Sequence, residues 1–277
     1  MSADDNIERD TLARLASAGR VAAGFAHELG NPLCAITNYA HTLEEKVAPE
    51  LRPIVEALQR EVARIQRMMD GITDYARPRE SGALGADVNV ALRDTLRFLT
   101  DQGVLRRIAI DHKLDDHPLP VKATALELEQ TFANLVLNAA DAMPAGGHLA
   151  VFTKRIPRKT LVDGSMQRAS DSGTEYPFRR DERVERWVES HEMAQVVKIV
   201  VADSGHGVER GLEEKIFEPF VSTKAPEHGT GLGLANVRGL VHMMGGLVWL
   251  QRSREGGAGF HIVLPVFAPE PAPTTPR

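Results

Sequence analysis

Two long amphipathic stretches joined by a short turn dominate the start of the sequence. From residue 10 to 46, and again from 54 to 76, apolar residues recur at steps of three or four. This is the period of a helix with one buried stripe. Residues 47–53 between them include two prolines and predict a turn, so the two helices form an antiparallel hairpin. One hairpin cannot cover both of its apolar stripes. We therefore expect two copies to pair as a four-helix bundle in a homodimer.

The hydrophobic pattern after the hairpin changes to short segments of two kinds. Strands mixed with helices predict an α/β sandwich. The expected fold class is therefore α plus α/β: a two-helix hairpin that dimerises into a four-helix bundle, followed by an α/β sandwich domain. The predicted strands are 108–114, 148–153, 196–203, 247–252 and 259–264, and the predicted helices are 90–101, 123–142 and 231–244.

The predicted domain organisation follows from these patterns and from the Pro and Gly positions between them. It consists of a disordered N-terminus (1–9), the helical hairpin (10–78), a linker (79–86), the α/β domain (87–266) and a disordered Pro-rich tail (267–277).

Residues 154–195 interrupt the α/β pattern. They are dense in Arg, Glu and Asp and poor in aliphatic residues, so we predict a solvated loop between two strands. A partner-docking insertion is the alternative. Trp187 in this segment and Trp249 after it are most simply packing residues.

Composition argues against several classes of protein. The formal net charge of -5 is unfavourable for a nucleic-acid binder, which needs basic clusters to neutralise phosphates. Cys34 is the only cysteine, so no intramolecular disulfide points to an oxidising compartment. The acidic N-terminus is not a secretory signal, and no apolar run approaches the roughly twenty residues that span a bilayer. We expect a cytoplasmic chain with no nucleic-acid partner and no membrane segment, although it can be part of a longer protein.

The first helix contains the strongest nucleophile candidate, in the segment FAHELGNPL (25–33). One nitrogen of a neutral His27 imidazole can attack phosphorus while the other holds a proton. Glu28 can accept that second proton. Asn31 lies four residues further on the same helix face and can orient a phosphoryl group or a water. Pro32 removes a backbone donor and favours a kink beside the nucleophile.

Two later segments carry polar groups suited to a nucleotide. Asn134, Asn138 and Asp141 fall on one face of the predicted helix 123–142, and an Asn carbonyl is a hard oxygen ligand suited to Mg²⁺. Asp203 ends an apolar strand and is followed by Gly205 and Gly207, which let the backbone approach a ligand closely. A buried carboxylate accepts a hydrogen bond from the exocyclic amine of adenine, whereas guanine presents a carbonyl there.

A glycine-rich segment follows at GTGLGLANV (229–237). Gly229, Gly231 and Gly233 lie before and inside a predicted helix start, where backbone N–H groups and the positive helix end point at phosphates. Lys224 can neutralise the outer phosphates. The polar segment 208–229 can fold over a nucleotide as a lid. No GK[ST] follows, so this is not a Walker pattern.

Together these segments resemble the sensor histidine kinases of two-component systems. HELGNP is similar to the phosphoacceptor box of the HisKA type, and the later motifs resemble the GHKL-type ATP-binding domain of histidine kinases, gyrase, Hsp90 and MutL. The resemblance covers about residues 15 to 265. It implies that His27 is phosphorylated, that Glu28 assists transfer and that Asn31 helps a reverse phosphatase reaction. The domain must then swing toward the bundle, which makes the linker from Pro78 to Gly85 the predicted hinge.

The resemblance also implies the nucleotide site, with ATP and Mg²⁺ as cofactors. Asn138 matches the magnesium ligand, Asp203 matches the adenine contact, and Phe217 and Phe220 match the box packed beneath the lid. Asn134 stands where hydrolytic members carry a water-activating Glu, which favours transfer to histidine. The matched residues of the phosphate loop are Gly229, Thr230, Gly231, Leu232 and Gly233.

The implied activity is ATP-dependent autophosphorylation of His27 and transfer to an aspartate of a response regulator receiver domain. Two alternatives remain open. A GHKL-type ATPase would turn over ATP steadily without a phosphoprotein. A non-catalytic phosphotransfer or phosphatase scaffold would fail to bind Mg-ATP.

Overall fold

Two compact units divide the chain. The first contains residues 1–80 and 218–236, and the second contains residues 81–217 and 237–277. Within the described part of the chain, each helix is too short or too polar to cross a lipid bilayer. The residues that this computed structural model describes are 36, 38–40, 42–44, 47–59, 61–62, 65, 84–162, 182–209, 211–222, 231–254 and 256–267.

The first unit contains the predicted hairpin turn, and the chain is helical on both sides of it. Described residues between 36 and 44 and residues 52–59 are helical, and a 3-10 turn at Pro49–Leu51 lies between them. The Gln59 amide donates to Glu44 Oε2 at 2.8 Å. Because these residues lie on opposite sides of the turn, the bond joins the two helices, and the predicted helix–turn–helix is confirmed over the described residues.

The strands described after the hairpin form one five-stranded sheet, and helices lie between these strands along the chain. The sheet has the order β1-β2-β3-β5-β4, with β1 and β2 parallel and every other neighbouring pair antiparallel. This agrees with the predicted α/β sandwich. The elements are α1 (Val88–Asp101), β1 (Ile108–Lys113), α2 (Ala125–Ala142), β2 (Gly147–Pro157), α3 (Glu182–Glu189), β3 (Gln195–Asp203), α4 (Gly233–Met243), β4 (Leu247–Arg252) and β5 (Ala258–Pro265).

Helix α2, which carries the predicted magnesium ligand, begins at a capping box. Glu127 N–H donates to Thr124 Oγ1 at 3.3 Å, and Thr124 N–H donates to Glu127 Oε2 at 2.9 Å. One face of the helix is then buried in the core, which fixes the opposite face as the one that carries Asn134, Asn138 and Asp141. The buried residues are Leu128, Thr131, Phe132, Leu135, Val136 and Ala139.

A buried polar contact places helix α1 on one face of the sheet. Thr153 Oγ1 in β2 donates to Asn89 Oδ1 at 2.6 Å. Leu149 lies on the same face as Thr153, because side chains alternate along a strand, and Leu149 is paired with Asp203 of β3. The end of β3 therefore presents Asp203 toward the helical layer.

Residues 154–195 differ from the solvated loop that we predicted. Strand β2 continues through this segment to Pro157, a 3-10 turn follows at Arg158–Leu161, and helix α3 precedes β3. Residues 163–181 lie outside the described residues. The charged side chains of α3 obscured a short apolar stripe at i, i+3 and i+4, and for this reason the sequence pattern was wrongly interpreted as a loop.

Helix α3 packs on the face of the sheet opposite to α1. Its buried side chains Val184, Trp187 and Val188 form one hydrophobic cluster with Trp249 of β4 and Val263 of β5. Both tryptophans are packing residues, as predicted.

Two polar contacts hold α3 at this position. The Trp187 indole N–H donates to the Gly245 carbonyl at 3.2 Å. The Arg158 guanidinium donates to the carbonyls of Val188 and His191, at the end of the helix. A cation at this end also interacts favourably with the helix dipole.

Replacement of the central side chain of this cluster tests whether α3 is part of the folded core. Trp187→Ala removes a buried aromatic group and should destabilise the chain by about 3–5 kcal/mol. The exposed neighbour Arg186 provides the matched control, since Arg186→Ala should cost less than about 0.5 kcal/mol. Urea unfolding followed by circular dichroism measures both. Equal stabilities of the two variants would contradict the packing described here.

Candidate functional site

Asp203 lies at the last position of β3 with its side chain buried. Its Oδ1 accepts hydrogen bonds from the backbone N–H groups of Gly205 at 2.8 Å and Ala258 at 3.1 Å. Among the described residues both donors reach Oδ1, so Oδ2 is the oxygen that can meet a ligand. A carboxylate oriented by two backbone groups is a fixed acceptor, as recognition of an exocyclic amine requires.

The electrostatics of this carboxylate are dominated by its burial. Burial raises the pKa of Asp203 above the ordinary range, because the ionised form loses hydration. The N–H groups of Ala258 and Gly205 and the charge of His206 oppose that rise in pKa. The two backbone N–H groups therefore offset part of the free-energy cost of burying an ionised carboxylate at this position.

Glycine is required at several positions around Asp203, two of them because a Cβ atom would not fit there. A Cβ at Gly257 would collide with Asp203 Oδ1, and Gly257 N–H donates to the Asp203 carbonyl at 3.2 Å. A Cβ at Gly205 would lie 2.6 Å from the carbonyl oxygen of Ala142. Gly207 is required for a different reason, since its φ of 71° lies in the left-handed region. The turns after β3 and before β5 therefore close tightly on the carboxylate.

Helix α2 ends against the turn that follows Asp203. Gly205 lies against Ala142, which is one helical turn beyond Asn138. Asn138 is half-buried and Asp141 is exposed, as expected for the polar face of a core helix. Asn134 is also half-buried, and its amide donates to the Gln130 carbonyl of its own helix at 3.0 Å. The structure thus places the predicted stripe and Asp203 in the same part of the second unit.

Phe217, one of the two residues that the resemblance matches to the box beneath the lid, packs inside the second unit. It ends the 3-10 turn Lys215–Phe217 and is buried. Its ring meets Phe260 of β5 edge-to-face, with centroids 6.2 Å apart and planes at 89°.

Phe220, which the resemblance also matches to the box beneath the lid, is exposed in the described part of the chain. The side chain is 72% exposed. Its backbone has a left-handed φ of 67°, and its N–H donates to the Gly231 carbonyl at 3.0 Å. This backbone conformation is uncommon for a bulky residue.

The described part of the glycine-rich segment belongs to the first unit, together with Phe220. A Cβ at Gly231 would lie 2.5 Å from the Phe220 carbonyl carbon, and Gly231 has a φ of 66°. Leu232 is buried, and its carbonyl accepts the Asn236 N–H at 2.8 Å as α4 begins at Gly233. The remaining candidates, which lie outside the described residues, are His27, Glu28, Asn31, Lys224, Gly229 and Thr230.

Sequence reasoning did not identify Gly257 and Ala258. A Gly-rich run between two strands indicates only a turn, and these residues reach Asp203 because β5 pairs with β3. No local pattern encodes that pairing. Among the described residues, no group of three or more His, Cys, Asp or Glu side chains is arranged to hold a metal ion. A Mg²⁺ ion that keeps several waters and binds phosphates needs only one or two protein ligands, and the half-buried amide of Asn138 can supply one such oxygen.

Two family models match the chain. The model for histidine kinase-, DNA gyrase B- and HSP90-like ATPases matches residues 123–268, more than half of the chain, and includes Asn138 and Asp203. The His Kinase A (phospho-acceptor) domain model matches residues 17–81, which include His27. Helix α2 and Asp203 therefore belong to a domain of the histidine kinase-, DNA gyrase B- and HSP90-like ATPase family.

Comparison with whole proteins identifies the family. The chain is 28% identical over 254 residues to the signal transduction histidine-protein kinase AtoS of Escherichia coli (strain K12), covering 91% of this chain and 36% of AtoS. It is 30% identical over 262 residues to the sensor kinase CckA of Brucella abortus (strain 2308), covering 91% of this chain and 24% of CckA. The chain belongs to the sensor histidine kinases of two-component systems. It spans less than half the length of these curated relatives.

Solved structures of kinases share the fold. Full-length ShkA in complex with AMPPNP aligns with a TM-score of 0.60 and 25% identity, over 88% of this chain and 45% of that chain. The histidine kinase ThkA in complex with the response regulator protein TrrA aligns with a TM-score of 0.58 and 22% identity, over 95% of this chain and 66% of that chain.

The raised pKa of Asp203 predicts a pH-dependent gain in stability when the charge is removed. Because folding raises this pKa, the ionised carboxyl disfavours the folded state above the folded pKa, and the penalty is absent below the unfolded pKa of about 3.9. Asp203→Asn should therefore raise the thermal midpoint at pH 7, and the gain should vanish as the pH falls toward 4. Calorimetric scans across this pH range measure the difference.

Asp115 provides a control, because its pKa is shifted in the opposite direction to that of Asp203. Burial would raise the pKa of its carboxyl, but the backbone N–H groups of Arg155 and His117 and the His117 imidazole outweigh burial and lower it. Asp115→Asn should lower the midpoint at pH 7 and converge with the unsubstituted chain in acid. A lowered midpoint for Asp203→Asn at pH 7 would contradict the account of the buried carboxylate.

Proposed function

We propose that this chain transfers the γ-phosphoryl group of ATP to His27 and then to an aspartate of a response regulator receiver domain. The observation that carries the proposal is the buried Asp203 carboxylate, whose Oδ1 accepts hydrogen bonds from two backbone N–H groups. It occurs in a chain that also matches a phosphoacceptor domain. The proposed domain limits are 10–78 for the hairpin and 87–266 for the catalytic domain.

Asp203 is proposed to determine which nucleotide base is bound. Its Oδ2 accepts a hydrogen bond from the exocyclic amine of adenine, and the same oxygen would face the carbonyl of guanine. A site that hydrogen-bonds one such group rejects the analogue that lacks it, because a buried polar atom is left unpaired. Gly205, Gly207 and Phe217 shape the surroundings of the base. The structure of ShkA with AMPPNP, an ATP analogue, supports a nucleotide site in this fold.

The polar face of α2 and the glycine-rich segment are the two proposed phosphate-binding elements. Asn138 would hold Mg²⁺ through its amide oxygen, and Asn134 and Asp141 would flank it. Bound Mg²⁺ would neutralise charge on the phosphates during transfer. Lys224 and the backbone N–H groups of residues 229–233 would bind the outer phosphates, with Phe220 beside the lid.

The phosphoryl group is transferred in two steps, first from ATP to His27 and then to the receiver aspartate. The unprotonated ring nitrogen of His27 attacks the γ-phosphorus, an N–P bond forms, and the bond to the bridging oxygen breaks so that ADP leaves. Glu28 accepts the proton from the other ring nitrogen. In the second step a carboxylate oxygen of the receiver attacks phosphorus, the N–P bond breaks and the imidazole is restored. Asn31 orients the phosphoryl group or, in the reverse reaction, a water.

Asn134 favours this reaction over simple ATP hydrolysis. At the position where hydrolytic members of the class carry a Glu, an amide cannot act as a base toward water. An ATPase function would therefore need a base from elsewhere in the chain.

The proposed oligomer is a homodimer formed through the hairpin. Ile54 is 65% exposed and Leu58 is 42% exposed, although both lie on the apolar stripe that also contains the buried Val55 and Val62. A stripe that is only partly covered within one chain favours a second copy as its cover. The structure of ThkA with the response regulator TrrA supports a regulator as the further partner. A cytoplasmic location is part of the proposal, because Mg-ATP is supplied there.

Incubation with ATP labelled on the γ-phosphate tests the transfer step directly. The unsubstituted chain should gain an acid-labile, base-stable label, because a phosphoramidate hydrolyses in acid. His27→Gln should abolish the label, whereas His41→Gln, on the same predicted helix, should retain it. Label on His27→Gln would refute the assigned nucleophile. Steady ATP turnover with no label on the unsubstituted chain would favour the ATPase alternative.

A charge on the exposed stripe tests the homodimer. Leu58→Glu would bury an unpaired carboxylate in the bundle and should convert the dimer to a monomer, as measured by light scattering after gel filtration. Glu56→Lys changes the charge at an exposed position two residues before Leu58, which lies on the other side of the helix, and it should leave the dimer intact. A dimeric Leu58→Glu variant would show that this stripe is not the interface.

A further inference from the structure

Ser204 follows Asp203 directly and joins the end of β3 to two other elements. Its backbone N–H donates to the His148 carbonyl at 3.0 Å. Its hydroxyl accepts the His148 N–H at 2.9 Å and donates to the Met143 sulfur at 3.4 Å. His148 belongs to β2, and Met143 is the C-cap residue of α2. One small side chain therefore contacts both elements that flank the turn after Asp203.

The hydroxyl replaces a backbone group in the sheet. The last regular pair between β2 and β3 is Leu149 with Asp203. One position further, the Ser204 N–H bond to the His148 carbonyl joins these two residues as in a hydrogen-bonded pair. In an antiparallel ladder such a pair exchanges two backbone hydrogen bonds. Here one is kept, and the Ser204 hydroxyl takes the place of its own carbonyl as acceptor. The carbonyl is thus released, so the chain can turn at Gly205 while His148 N–H stays paired.

This turn orients the Asp203 carboxylate. Gly205 N–H is one of the two donors to Asp203 Oδ1, so the path of the chain through Ser204 fixes where that donor lies. Gly205 also abuts Ala142, and a Cβ at Gly147 would lie 2.7 Å from the Ser204 hydroxyl. The turn therefore lies in close contact with the C-terminal end of α2, the helix that carries Asn138.

We propose that Ser204 is a positioning residue for base selection by this kinase. Its hydroxyl ends the β2–β3 ladder one residue after Asp203, and it thereby holds the carboxylate in the orientation that distinguishes adenine from guanine. The inference rests on the proposed adenine contact of Asp203. Ser204 itself need not touch the nucleotide.

The test compares variants with and without a hydroxyl at this position. Ser204→Thr and Ser204→Val have nearly the same shape and differ in the hydroxyl, and Ser204→Ala removes it without adding volume. Ser190→Ala is the matched control, because within the described ranges the Ser190 hydroxyl bonds the local helix end, at the Trp187 carbonyl and His191. Calorimetric titration of the full chain with Mg-ATP and with Mg-GTP gives the affinity ratio. The autophosphorylation rate at saturating ATP gives kcat.

The expected result is a loss of selectivity that follows the hydroxyl. Ser204→Ala and Ser204→Val should weaken ATP binding about five- to tenfold, the effect of one displaced hydrogen bond, while GTP binding changes little. The ATP-to-GTP ratio should fall by the same factor, KM for ATP should rise and kcat should stay within about twofold. Ser204→Thr and Ser190→Ala should retain the ratio.

The results distinguish failure of the Ser204 proposal from failure of the proposed adenine contact of Asp203. A merely structural role would lower the thermal midpoint or the active fraction while leaving the ATP-to-GTP ratio unchanged, and that result would overturn the proposal. Equal loss of the ratio in Ser204→Thr and Ser204→Val would also overturn it, since shape and not the hydroxyl would then matter. Asp203→Asn is measured in parallel. If it binds ATP and GTP as the unsubstituted chain does, the proposed adenine contact fails independently of Ser204.

Discussion

A carboxylate buried at the end of a strand must be stabilised by neighbouring groups, and at Asp203 these groups come from two distant parts of the chain. Burial raises its pKa because the ionised form loses hydration, and the N–H groups of Gly205 and Ala258 recover part of that loss. The first donor requires a tight turn directly after β3. The second requires the β4–β5 turn to reach back to the same oxygen. The pairing of β5 with β3 is therefore a condition for the site as well as for the sheet.

The additional layer formed by α3 lies at the other end of β3 from this carboxylate. The hydrophobic cluster of α3 includes Val196, near the start of the strand, whereas Asp203 is its last residue. Residues 154–195 thus add apolar cover to one end of the sheet, and the turn that binds Oδ1 lies at the other end.

Prediction from sequence succeeded where the determinant is local. Helix α2 was predicted at 123–142 and spans Ala125–Ala142, because its cap and its apolar period are both encoded within the helix. The position of Asp203 at the end of an apolar strand was equally clear. Gly257, Ala258 and Ser204 could not be assigned, because their roles depend on strand register and on a close approach between turns. The exposure of Phe220 could not be predicted, because a left-handed backbone at a bulky residue has no sequence signal.

The central claim is that Asp203 reads the base of ATP within a kinase that phosphorylates its own hairpin. The most direct measurement is a crystal structure of the full chain with Mg²⁺ and a non-hydrolysable ATP analogue. The account predicts the adenine amine at hydrogen-bond distance, about 3 Å, from Oδ2 of Asp203, with Oδ1 still bound to the N–H groups of Gly205 and Ala258. An analogue bound elsewhere, or a base whose amine has no contact with Asp203, would contradict it.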